Sequence, residues 1–196
     1  MIILGLDQAQ NCGFAIYDTN APLSAIRVGV IKAKQAKGEE YEIMARRLGN
    51  ELMQLIKREK PDVVAMERPL RRAPGSNTKT KKVKFMGEEQ TVEGEGGYGG
   101  LNAVISSNQL AGAVAGVVGA FNKPLLTLPD STWRKSFLGM GRQKGWARED
   151  WKRASRQRCR DLKITVTNDD QAEAVGVAFA ASCAQEIKAM MLGVAK

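Results

Sequence analysis

Four carboxylates stand where a metal site could be built. Asp7 closes the apolar run IILGL, Glu67 closes the run DVVAM, and Asp170 with Glu173 opens the small, apolar segment DDQAEAVGVAFAA. Two residues spaced i, i+3 at a helix start share one face. If the two runs are neighbouring strands of one sheet, Asp7 and Glu67 project from the same edge, and a helix start packed there adds two more acids. Carboxylates converging without a basic partner repel one another unless a cation neutralises them. All-oxygen donors suit Mg²⁺ or Mn²⁺, and two such ions about 3.5–4 Å apart would form a site for phosphodiester hydrolysis. Each acid also has a plainer reading: a strand-end acid can serve a turn, and Asp170 with Glu173 favours the positive end of a helix dipole.

Composition removes the alternatives that need an imidazole. The 196 residues contain no histidine, so Ser-His-Asp triads, Cys-His pairs and His-ligated zinc are excluded. Cys12, Cys159 and Cys183 are odd in number, far apart and without a C-x-x-C pair, which supports neither a disulfide framework nor a thiolate zinc site. A reducing, intracellular and cytoplasmic location is the expectation. The N-terminal MIILGLDQ lacks a basic n-region and reads as a strand, not a signal peptide. No segment is expected to reach the roughly 18 apolar residues of a membrane span, so no membrane partner is expected. Thirty Lys and Arg against 21 Asp and Glu, a formal charge of +9, favour an anionic partner such as nucleic acid.

The elements that must position the acids follow from periodicity. Strands are expected over 2–7, 13–18 and 25–31, a helix of about five turns over 41–60 stopped by Pro61, and a buried strand over 62–67. Residues 68–100 break into Pro, Gly, Ser, Lys and Thr, a basic, Gly-rich insertion at about 70–100 with a hairpin candidate in KVKFMGEEQTVE. A helix over 101–121, a short strand over 124–128, a charged helix over about 148–162 and an apolar last helix over about 170–192 complete the chain. The alternation argues one α/β domain over 1–196, a five-stranded mixed sheet flanked by helices.

Three stretches carry a family resemblance. ILGLDQAQNCGFAIYD is similar to the first hairpin of the RuvC branch of the ribonuclease H-like nucleases, the Holliday junction resolvases, in which the first metal-binding Asp is followed six residues later by a Gly that begins the second strand. VVAMERP resembles the segment ending in that family's second acid, and DDQAEAVGVAFAA resembles its final helix, whose D-x-x-D pair is here Asp170 and Glu173. The chain departs from the pattern at Gln8 and Ala9, where a small Gly is usual, and at Glu173, where Asp is commoner; adjacent Asp169 is an alternative ligand. The long insertion points to a divergent, phage-type branch. The resemblance implies a ribonuclease H-like fold and a Mg²⁺-dependent (or Mn²⁺-dependent) endonuclease that nicks branched DNA. Asp7 would bridge two ions, Glu67, Asp170 and Glu173 would complete their shells, and the protein would act as a two-fold homodimer.

The basic residues fit that implication. Arg71, Arg72, Lys79, Lys81, Lys82 and Lys84 follow the second acid closely with no acidic residue among them, and residues 134–163 hold eleven basic against three acidic, Arg134 and Lys135 leading. Both stretches are candidate phosphate contacts, and the helix over 148–163 reads equally well as a solvated face. Phe85 and Tyr98 are candidates for stacking on an unpaired base, whereas Trp133, Trp146 and Trp151 read as core or interface residues. Gly112, Gly116 and Gly119 give the helix over 101–121 a small-residue face, expected to pack on the sheet, with a partner helix as the second choice. Two other classes remain open: a ribonuclease H-like enzyme acting on RNA or as a small sugar-kinase relative, and a noncatalytic DNA-binding relative.

Overall fold

The computed structural model describes residues 1–71, 80–85, 88–93, 98–141 and 143–193. β1 (Ile2–Asp7) and β2 (Asn11–Asp18) form an antiparallel hairpin, and β3 (Arg27–Lys32) pairs antiparallel with β2. α1 (Tyr41–Glu59) ends at Lys60, whose left-handed backbone (φ 49°) and N–H to Ile56 O close the last turn before Pro61. β4 (Val63–Glu67) then enters parallel to β1. In the insertion, β5 (Thr80–Phe85) and β6 (Glu88–Glu93) form a separate two-stranded antiparallel sheet, where the hairpin was expected. α2 (Tyr98–Ala120) leads to β7 (Leu125–Leu128), parallel to β4, and α3 (Asp130–Leu138), α4 (Arg148–Asp161), α5 (Asp169–Cys183) and α6 (Gln185–Met191) follow. The five-stranded sheet runs β3-β2-β1-β4-β7, mixed as expected.

Strand alternation divides the core between the two faces of this sheet. Leu4, Leu6, Val64 and Met66 face α1 and α2, packing with Met44, Leu48, Leu52, Leu110, Val114 and Val118. Ile3, Val63 and Ala65 face the other way, against α3, α4 and α5, with Trp133, Phe137, Cys159, Val175 and Ala178. Gly5 of β1 permits α5 to lie directly on the sheet, since a Cβ there would sit 2.6 Å from Ala178 N.

Three expectations are corrected. The last helix is not continuous to Leu192. It breaks at Ala184, which adopts an extended backbone (φ −68°, ψ 145°), and the turn lets α6 tuck Ile187 into the core. No Gly or Pro marks the spot, so the break follows from packing alone. The glycines of α2 do not pack on the sheet: a Cβ at Gly112, Gly116 or Gly119 would meet nothing within 4 Å, because Leu110, Ala111, Val114 and Val118 are the residues turned inward. Finally, residues Gly100–Ala120 of α2 are long and apolar enough to cross a membrane by length and composition, contrary to expectation. Core packing accounts for only part of that apolarity: Leu110, Ala111, Val114 and Val118 are buried against α1 and the sheet, whereas only 22% of the segment is buried.

Candidate active site

β1 and β4 are adjacent and parallel, with Leu6 opposite Met66, so Asp7 and Glu67 emerge side by side at the carboxyl edge of the sheet. The start of α5 reaches the same edge through Gly13. That residue is the register partner of Asp7 on β2, and a Cβ on it would lie 1.9 Å from the Asp170 carbonyl oxygen. No side chain could occupy that position without moving the helix. Asn168 caps α5 by accepting from Gln171 N at 2.9 Å, and Gln171 Oε1 accepts from Thr167 N at 2.7 Å, which fixes the turn that presents Asp170 and Glu173.

Glu67 is held from α3. The fully buried Trp133 donates from Nε1 to Glu67 Oε2 at 2.9 Å, and Gln8 Nε2 donates to the Glu67 carbonyl oxygen. Trp133 in turn needs Gly176 of α5, where a Cβ would lie 2.7 Å from the indole. Two glycines absent from any local chemistry thus position two of the four acids.

The four carboxyls sense one another. Burial pushes Asp7 well above the ordinary carboxylate range, and the charges of Glu173, Glu67 and Asp170 add to the rise. Burial, then the charge of Glu67, pushes Glu173 up to about 7. Glu67 and Asp170 are also raised, chiefly by burial; the Trp133 hydrogen bond opposes the rise at Glu67 and the Lys152 charge opposes it at Asp170. Among the described residues none of the four forms an ion pair. Nor, among the described residues, do any three acids converge closely enough to hold a metal ion. The two findings concern different ranges: electrostatic coupling is felt over several ångströms, whereas coordination requires about 2 Å. As a donor set the site fits a hard divalent cation, being all oxygen, partly desolvated and without an ion-paired partner among the described residues.

Asp169 differs from its neighbour. Arg156 Nε lies 2.9 Å from its Oδ1, a charge contact without hydrogen-bond alignment, and Lys152 Nζ lies 3.6 Å from Oδ2. Its carboxylate therefore ties α5 to α4, while Asp170 acts on Asp7. Arg148, which opens α4, is the residue that sequence reasoning missed. Its charge opposes, weakly, the rise of all four carboxyls, and it lines, with Asp7, Glu67 and the α2 residues Asn102, Ser106 and Ser107, a cleft of about 500 Å³. Its position at the start of α4 carries no local signal that sets it apart from the other basic residues of 134–163.

The other expected residues are scattered. Arg71 is exposed just past β4, whereas Arg72 and Lys79 lie outside the described residues. Lys81, Lys82 and Lys84 fall on β5, which ends at Phe85, and Tyr98 opens α2. Lys135 is exposed on α3. Arg134 is bonded to Asp130 at 2.9 Å and stacked on Trp133 and Trp151, and its charge reaches Glu67 and Glu173. Trp133 is core as expected, but Trp146 is 38% exposed.

The fold and the edge placement of the acids define the class, an α/β chain of ribonuclease H-like architecture. No protein-family model and no curated relative matches the sequence. Solved structures do. The chain is similar to Thermus thermophilus RuvC in complex with a Holliday junction substrate (TM-score 0.62, 16% identity, covering 100% of this chain and 98% of that one). It is likewise similar to a second T. thermophilus RuvC structure (0.58, 16%, 100% and 99%) and to the yeast mitochondrial Holliday junction resolvase Ydc2 (0.54, 15%, 91% and 76%). The fold is therefore that of the RuvC resolvases, as the hairpin, the second acid and the last helix had implied.

Proposed function

We propose that this chain is a metal-dependent endonuclease that nicks the phosphodiester backbone of branched DNA, resolving four-way junctions. The observation that carries the reading is the placement of Asp7 and Glu67 side by side at one sheet edge, within electrostatic reach of Asp170 and Glu173 at the start of α5, in a fold shared with junction resolvases. Asp7, on which the charges of the other three act, would hold Mg²⁺ or Mn²⁺ together with Glu67, Asp170 and Glu173. When bound, the ions supply polarisation of the scissile phosphate and activation of the attacking water. The chain's own residues do the rest. Trp133 locks the Glu67 carboxylate, Gly13 admits the Asp170 backbone, and Arg148 at the cleft wall draws the phosphate strand toward the acids. Arg71, Arg72, Lys79, Lys81, Lys82, Lys84, Arg134 and Lys135 are the basic residues proposed to contact the DNA backbone.

Resolution by symmetric nicking requires two such sites, so the reading includes a homodimer. The open face of α2, where Gly112, Ala115, Gly116 and Gly119 are exposed, allows close approach of the same helix from a second copy. The test is cleavage of a labelled four-way junction and a matched linear duplex with Mg²⁺, with EDTA and with Asp7→Asn. Paired nicks near the branch that vanish in EDTA and in the variant support the proposal. Junction binding without cutting in Mg²⁺ or Mn²⁺ overturns the catalytic reading in favour of a binding protein, and binding to neither substrate overturns it altogether.

A further inference from the structure

A second concavity, with its own walls, lies beside the carboxylate cleft. It has a volume of about 850 Å³ and is walled by Trp146, Trp151, Asp130, Arg134, Gln143 and Lys144. The two indoles meet at 4.7 Å between centroids and a 60° tilt, and the Arg134 guanidinium lies 5.1 Å from the Trp151 centroid and 5.3 Å from that of Trp133. Asp130 holds the edge of that guanidinium through Oδ2, so the cation is anchored on the wall. Trp146 remains 38% exposed, a large aromatic face left to water on a loop with no place in either core cluster.

Walls of this kind suit a planar, polar heterocycle. Indole faces stack on any nucleobase, and a volume within the roughly 300–1,000 Å³ of ordinary ligand pockets holds one nucleotide with room to spare. Asp130 on the wall disfavours a phosphate inside the cavity, which leaves the sugar-phosphate to exposed Lys144 at the rim. The two sites share a wall: Trp133 bonds Glu67 of the carboxylate site, while Arg134, the next residue, lines the aromatic cavity. We propose that the cavity formed by Trp146, Trp151 and Arg134 receives an unpaired base of the DNA strand whose neighbouring phosphate lies at the carboxylates. The assignment rests on the nuclease reading for the identity of the strand, and on the cavity itself for the base.

The experiment measures equilibrium binding, by fluorescence anisotropy in EDTA at fixed salt, of a labelled thymidine octamer and of an abasic deoxyribose-phosphate octamer of equal length. The full chain and Trp146→Leu are compared. The wild-type protein should prefer the base-bearing octamer by at least about fivefold, the low end of what one stacked base contributes. Trp146→Leu should lose that preference while binding the abasic octamer unchanged, and Trp146→Phe should retain most of it. Equal wild-type affinity for the two octamers overturns the proposal without recourse to any variant. A preference that survives in Trp146→Leu also overturns it, by placing the stacking residue elsewhere. Junction cleavage by the same wild-type preparation keeps the two readings apart: cleavage without base preference removes the pocket alone, and base preference without cleavage removes the nuclease alone.

Discussion

In EDTA at pH 8, Glu173→Gln should make the protein more stable, although it deletes a residue placed at the heart of the site. Glu173 is 9% exposed, and burial with the nearby Glu67 charge moves its carboxyl from the ordinary 4.5 to about 7. In the unfolded chain it ionises at its ordinary value. Below pH 4.5 both states are protonated and the full stability is present. As the pH rises, the unfolded chain releases its proton first, stability falls, and above pH 7 the loss is complete. At about 1.4 kcal/mol per pH unit, the interval from 4.5 to 7 corresponds to about 3 kcal/mol. Gln has the shape of the protonated acid and cannot ionise, so the variant escapes this loss. Its advantage should be about 3 kcal/mol at pH 8 and should shrink to nothing near pH 4.5. For a chain of this length that is a melting-temperature gain of about 6–12 °C. Urea and thermal melts of both proteins from pH 4.5 to 8.5 measure it. A variant equal to or less stable than wild type at pH 8, with a parallel pH profile, would refute the claim that repelling carboxylates are buried together. Addition of Mg²⁺ should stabilise wild type more than the variant, since only the former offers the complete donor set.

Gly13→Ala should lower stability by about 1–3 kcal/mol and sharply reduce junction cleavage, because the new methyl cannot coexist with the Asp170 carbonyl and α5 must shift; melts paired with cleavage rates check this. Asp169→Asn should cost about 1 kcal/mol and leave cleavage intact, as it keeps the shape and weakens only the contacts to half-exposed Arg156 and to Lys152 at 3.6 Å, whereas Asp170→Asn should abolish cleavage. The opposite ranking in a cleavage assay would make Asp169 the ligand. Trp133→Phe removes the hydrogen bond that favours ionised Glu67, so the pH of half-maximal cleavage should move upward and stability should fall by about 1–3 kcal/mol, both readable in one pH series.

What the amino-acid sequence determined was local and periodic. The continuous apolar runs IILGL and DVVAM made buried strands, each closed by an acid, the 3.6-residue pattern of 41–60 made a helix, and the spacing of Asp170 and Glu173 placed both on one face. Those signals sufficed for the sheet and for the candidate acids, because each is carried by neighbours in the chain. Tertiary structure decided whatever depends on what another segment places alongside. Asp169 and Asp170 are adjacent and chemically alike, and only the packing of α4 with Lys152 and Arg156 separates a tether from a candidate ligand. The outward turn of the α2 glycines, the break at Ala184 and the role of Arg148 have no local signature either. Gly13 and Gly176 show the reason most directly: a residue without a side chain leaves no mark of its own, and its meaning is the atom of a distant helix or indole that fills the space where a Cβ would have been.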